Sequence, residues 1–220
     1  MCIRDSLENF KSIKGIAEAK SEIIENIEAD GLAKEIYRST AENSEEDQLA
    51  GMLVRSLLSA GIDTTVSAIG NLLWCLAENP EQFQLVKNDK SLVGNAVEES
   101  LRLTIPVKAF CRTSAIDTEV SGVVIEEGTK ILCVLGSADT DPEVWENSYK
   151  YDVTRRTIGH LALGVGVHNC VGQTLARAEI TALASSLTEL VQVINPAGKA
   201  TWKPNNAMRS LESLPIILET

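Results

Sequence analysis

Hydrophobic and polar positions alternate with different periods along the chain. Over residues 7 to 40, Ile13, Ile16, Ile23, Ile24 and Ile27 recur at helical spacing, and Gly31 interrupts or ends the run. The polar joint "AENSEED" follows. In it Ser44 with Asp47 resembles a capping box, and acids in the first turn suit a helix N-terminus. A long helix is predicted from about 46 to 78, stopping at Asn79-Pro80. A short helix after Pro80 and another around 91 to 103 come next. Beyond Pro106 the pattern turns to β-branched runs with turn glycines, "VKAFCRTSA", "TEVSGVVI" and "TKILCVL", which read as short strands. Residues 137 to 160 read as irregular, with Asp141-Pro142 as punctuation. A helical pattern resumes near Cys170 and runs to about 192, and "TWKPNNAMRSLESLPIIL" predicts a closing hairpin or paired strands. The fold class is mainly α with a small β region.

Composition narrows the function classes. With 220 residues and 44% apolar content, the chain can form one domain or a substantial part of a larger one. A net charge of -11 argues against a nucleic-acid partner and for a soluble protein. The longest apolar region, 49 to 77, is broken by Arg55 and Asp63, so it reads as a poor membrane span. No signal peptide is visible. Cys2, Cys75, Cys111, Cys133 and Cys170 are odd in number, widely spaced and without CxxC, so neither a disulfide framework nor a zinc ribbon is expected. They read mostly as reduced, buried thiols of a cytoplasmic protein. The opening "MCIRDS" matches the translation of a transposon adaptor used in sequencing libraries. Residues 1 to 6 are therefore expected to be an artefact ahead of a partial domain over 7 to 220.

The chemistry concentrates in "HLALGVGVHNCVGQTLARAE", residues 160 to 179. Gly164 and Gly166 permit backbone conformations closed to other residues and let something flat and large approach closely. Cys170 is expected at a helix N-terminus, where free amides and the helix dipole favour an anionic sulfur, and Gly172 keeps the first turn slim. Such a thiolate under a flat ligand suits the proximal side of a heme iron. Three other readings compete: a Cys–His thiol protease pair, zinc held by His168 and Cys170, and a structural glycine loop before a buried cysteine. The first lacks a distant partner, and the second lacks two further ligands.

The spacing G-x-G-x-H-x-C-x-G, set by Gly164, Gly166, His168, Cys170 and Gly172, resembles the heme-binding loop of the cytochrome P-450 superfamily. Three more motifs follow that family's order. "AGIDTT", residues 60 to 65, holds poor mid-helix residues whose hydroxyls can bend or open a helix. The resemblance makes Asp63 and Thr64 a proton relay to dioxygen; the alternative is a kink without chemistry. Glu99 and Arg102 form E-x-x-R, and "YDVTR" supplies Tyr151, Asp152 and Arg155 in place of the family's F-D-x-x-R. The resemblance implies a buried Glu with two Arg, an all-or-none structural lock. Arg112 is implied to pair with a heme propionate, as is His168.

Two departures stand out. Leu163 occupies the position of the family's usual Phe, and Thr140 in "ADTDP" replaces an Arg. Family members are also about twice this long, so the chain resembles the C-terminal, heme-bearing half, and alone it is expected to be inactive. "MLVRSLLSAGIDTTV", "VHNCVGQ" and "RSLESLPI" are similar to soluble bacterial members that oxidise para-substituted benzoates. On that likeness Ser56 would help hold a substrate carboxylate and Phe110 would pack on the ring. Their plain alternatives are a helix-packing serine and a core phenylalanine.

The implied activity is insertion of one oxygen atom of O2 into a small organic substrate, by hydroxylation or O-demethylation. The implied cofactor is heme b, iron protoporphyrin IX. Electrons would come from NAD(P)H through a ferredoxin reductase and a ferredoxin, and the complete protein would be a monomer. An acidic ferredoxin would need a local basic patch including Arg177. The alternative functions are a heme-binding protein without oxygenase activity and an inactive gene fragment.

Overall fold

A computed structural model of the chain describes residues 31, 34–36, 39 and 47–220. Cys2, the isoleucine run at 13 to 27, the adaptor-like start and Ser44 lie outside the described residues. Contacts divide the chain into two compact units, Met1–Ile62 and Asp63–Thr220.

Helix α1 (Asp47–Glu78) is unbroken through "AGIDTT". Its N-terminal part exposes Leu49, Met52, Leu53 and Leu58. Asn79 Nδ2 donates to the Cys75 carbonyl at 2.8 Å, satisfying one of the helix's orphan acceptors. Pro80 then opens α2 (Pro80–Asn88), where its missing N–H costs nothing. Asp89 caps the 3-10 turn Lys90–Leu92 by accepting from the Ser91 N–H, and α3 (Val93–Thr104) follows.

The strands form four antiparallel pairs: β1 (Phe110–Thr113) with β4 (Lys130–Cys133), β2 (Thr118–Val120) with β3 (Val123–Ile125), β5 (Val193–Pro196) with β8 (Ile216–Glu219), and β6 (Thr201–Trp202) with β7 (Leu211–Ser213). The last two pairs are nested in the tail. A one-turn helix α4 (Leu135–Ala138) opens the irregular segment, and α5 (Gln173–Leu190) follows the cysteine loop.

The core of the second unit joins Ala68, Leu72, Cys75 and Leu76 of α1 to Phe83, Val97, Leu101, Tyr151, Ile180, Ala184 and Ile194. By length and composition alone, Leu49–Glu78 could cross a membrane, a test the broken apolar run did not lead us to expect. A core helix of a soluble protein passes the same test, and Leu72, Cys75 and Leu76 lie in that core.

Two expectations need correction. Of the four described cysteines only Cys75 is buried, and burial pushes its thiol up; Cys111 and Cys170 are exposed and Cys133 is half-buried. A two-stranded sheet with an exposed β1 cannot enclose its cysteines. Helix α5 begins at Gln173 with Gly172 as its N-cap, so Cys170 precedes the helix.

Candidate functional site

The E-x-x-R pair sits on the inner face of α3, and both side chains are fully buried. Arg102 Nε donates to Glu99 Oε2 at 2.7 Å and Nη2 to Oε1 at 2.9 Å, a bidentate fork. Its remaining nitrogen, Nη1, donates to the backbone carbonyls of Asp139 at 2.6 Å and Ser148 at 2.9 Å. Arg155 Nε reaches Glu99 Oε1 at 3.0 Å, and the Asp152 N–H reaches the same oxygen at 3.2 Å. Arg155 spends its other nitrogens on the carbonyls of Glu146, Asn147 and Lys150. Tyr151, beside them, is buried and donates its hydroxyl to the Ala96 carbonyl. The structure thus brings Glu99, Arg102 and Arg155 together across a long sequence separation.

The cysteine loop folds back on itself. The Cys170 N–H donates to the Leu163 carbonyl at 2.8 Å, and a 3-10 turn, Gly166–His168, lies between. Gly164 has φ +73°, and a Cβ there would overlap the His168 carbonyl oxygen, so the closure admits only glycine. Leu163 packs against the core, where a larger aromatic stands in the family pattern. The loop presents Cys170 to solvent, flanked by Val167 at 97% exposure and Val171 at 87%. Gly172 lies beside the thiol, its hypothetical Cβ 4.0 Å from Sγ. An exposed thiol among exposed valines, on a loop tightened by glycine, fits a large flat apolar ligand resting on sulfur.

The remaining predicted residues are less convergent. Arg112 is exposed, donates to the Cys111 carbonyl and stacks on Phe110 with its guanidinium carbon 5.4 Å from the ring centre. Phe110 is 45% exposed, so it is not a core phenylalanine. His168 is exposed on the loop. Ser56 is exposed on the N-terminal part of α1, within the first unit. Asp63 lines a cavity of about 370 Å³ shared by Val66 and Gly70 with Lys203, Asn205 and Met208 of the tail. The Asp63 carbonyl accepts the Ser67 hydroxyl at 2.7 Å, and Thr64 is half-buried. Neither hydroxyl opens the helix.

A second ion cluster escaped the sequence reading. Glu98 accepts from Arg177 Nε at 2.6 Å and meets His160 Nε2 at 2.8 Å. Burial alone would raise the Glu98 carboxyl, but hydrogen bonds from His160 and Arg177 and the Arg177 charge outweigh it, bringing it down to about 2. Arg177 is therefore not a free member of a basic patch, because Glu98 and Gln173 already occupy it. Asp139 is buried; desolvation pushes its carboxyl up, partly offset by the Leu161 N–H. Thr140 turns its hydroxyl back onto the Gly136 carbonyl. Glu98 and Arg177 carry no local periodicity that would have paired them.

The chain is similar to known proteins along most of its length. The sequence model of the family described as Cytochrome P450 matches residues 10–218. The chain is 46% identical over 182 residues to Cytochrome p450 CYP199A2 of Rhodopseudomonas palustris, covering 83% of this chain and 44% of that protein. It is 35% identical to the Biotin biosynthesis cytochrome P450 of Bacillus subtilis, covering 74% and 42%. Among solved structures, cytochrome P450 CREJ superposes with a TM-score of 0.85 at 29% identity, covering 97% of this chain and 54% of that one. The chain spans about half the length of these relatives.

Proposed function

Because this chain belongs to the cytochrome P450 family, we propose that it is the heme-thiolate portion of a monooxygenase that inserts one oxygen atom of O2 into a small organic substrate. The observation that carries this reading is the exposed Cys170 thiol on a loop whose Gly164 closure excludes any side chain. Bound heme b would supply dioxygen activation, with electron density pushed from the cysteine sulfur.

The chain's own residues then divide the work. Cys170 would ligate the heme iron, with Gly166 and Gly172 keeping the loop slim. Arg112 and His168 are exposed cations or donors suited to the propionates. Asp63, on the cavity wall, delivers protons from its carboxyl, with the Thr64 hydroxyl as the neighbouring relay. Glu99, Arg102 and Arg155 hold the irregular segment to α3. The substrate class we propose is a para-substituted benzoate, with Phe110 against its ring. This rests on the sequence likeness described above. Electrons would arrive from NAD(P)H through a ferredoxin and its reductase.

The test is the carbon monoxide spectrum of the dithionite-reduced protein, expressed with heme supplied. It would be recorded on this chain and on one extended to its relatives' length. A strongly red-shifted Soret band that Cys170→Ala abolishes is the expected result. A band unchanged by that substitution, or absent from both chains, would refute thiolate ligation.

A further inference from the structure

The backbone just ahead of the cysteine loop is held from two sides. His160, with its side chain 5% exposed, meets Glu98 Oε2 through Nε2 at 2.8 Å, while its Nδ1 accepts the Ala162 N–H at 3.2 Å. A ring nitrogen that accepts carries no proton, so Nε2 is the donor to Glu98. From the other side, Asp139 Oδ1 accepts the Leu161 N–H at 2.7 Å. The residues so held end in Leu163, whose carbonyl accepts the Cys170 N–H at 2.8 Å. Beyond the thiol, Arg177 of α5 donates to Glu98 through Nε at 2.6 Å and Nη2 at 3.2 Å, and its Nη1 to Gln173 Oε1 at 2.8 Å. One carboxylate on α3 therefore grips the chain before and after the thiol.

We propose that Glu98 is the positioning residue of the thiolate loop, acting through His160 on its entrance and Arg177 on its exit to set where Cys170 Sγ meets the heme. This inference rests on the heme-thiolate reading. Glu98 and Glu99 are neighbours on α3 with separate tasks: Glu99 turns to the irregular segment, Glu98 to the loop. Charge-assisted bonds of this length are strong enough to fix two elements at once.

The test pairs amide hydrogen exchange with the reduced carbon monoxide spectrum in His160→Ala, Glu98→Gln and His160→Gln. In the first two variants, Ala162 and Cys170 amides should exchange about tenfold faster, the scale of one lost hydrogen bond. The Val97 and Leu101 amides of α3, as internal references, should not change. The share of carbon monoxide complex with a protonated rather than anionic sulfur should rise in the same two variants. His160→Gln, which can still donate to Glu98 and accept from Ala162, should restore both readouts.

Exchange at Ala162 and Cys170 that is unchanged, or that rises only in step with the α3 references, would overturn the proposal. So would faster exchange with an unaltered spectrum. A parent protein lacking the thiolate band would instead sink the heme assignment, while its exchange rates would still decide whether Glu98 grips the loop.

Discussion

Replacing Glu99 by Gln keeps the volume and removes one charge from a site with no access to water. Four bonds converge on this carboxylate: two from Arg102, one from Arg155 and one from the Asp152 amide. A glutamine keeps one acceptor oxygen and turns an NH2 toward guanidinium donors in either orientation. Two arginines, one of them fully buried, are then left without a counter-charge. Breaking a buried pair from one side costs about 3–5 kcal/mol, because the orphaned charge remains desolvated. Against a typical domain stability of about 5–15 kcal/mol, that is a large share. Urea denaturation followed by far-ultraviolet circular dichroism would read it as a lower midpoint at constant slope. Glu99→Leu combined with Arg102→Leu should not recover the loss, because the Asp139 and Ser148 carbonyls also lose their donor. A Glu99→Gln cost below about 1 kcal/mol, the level of an exposed ion pair, would refute this reasoning.

Gly164→Ala should strain the loop rather than the core. The positive φ and the overlap with the His168 carbonyl together predict a penalty of about 1–3 kcal/mol, seen as easier unfolding of the heme-free chain and poorer heme retention. A normally retained heme would show that the loop can relax. Acid should act on Glu98 with a defined sign. Its folded carboxyl lies at about 2, below its ordinary 4.5, so its contribution is complete above about 4.5 and is lost as pH falls toward 2. Unfolding free energies over that window should fall more steeply in the parent than in Glu98→Gln; equal slopes would contradict the pairing.

Local patterns made part of this legible from residues alone. The long helix ended at Asn79 because the following proline forbids continuation, and the short strands announced themselves by β-branched runs. The loop's fixed spacing pointed to its own geometry, since Gly164 has to pass the His168 carbonyl. What stayed hidden was set by turn geometry and by distant partners. Helix α5 starts after Cys170 because the Cys170 carbonyl closes a tight turn onto the Gln173 amide, and the first helical bond runs from the Ala176 amide to the Gly172 carbonyl. Cys111 and Cys133 looked like core thiols, but the sheet that carries them has only two strands. Glu98 and His160 pair across 62 positions, and no periodicity reports such a bond.

Arg102 and Arg155 together grip the carbonyls of Asp139, Glu146, Asn147, Ser148 and Lys150. Carbonyls are common to every amino acid, so these arginines read the path of the segment and ignore its lettering. At Asn147 the φ of +49° favours asparagine, aspartate or glycine, but drift in side-chain identity at Glu146 or Lys150 should be tolerated. Inserting or deleting a single residue there should not, because every carbonyl beyond it would move off its donor.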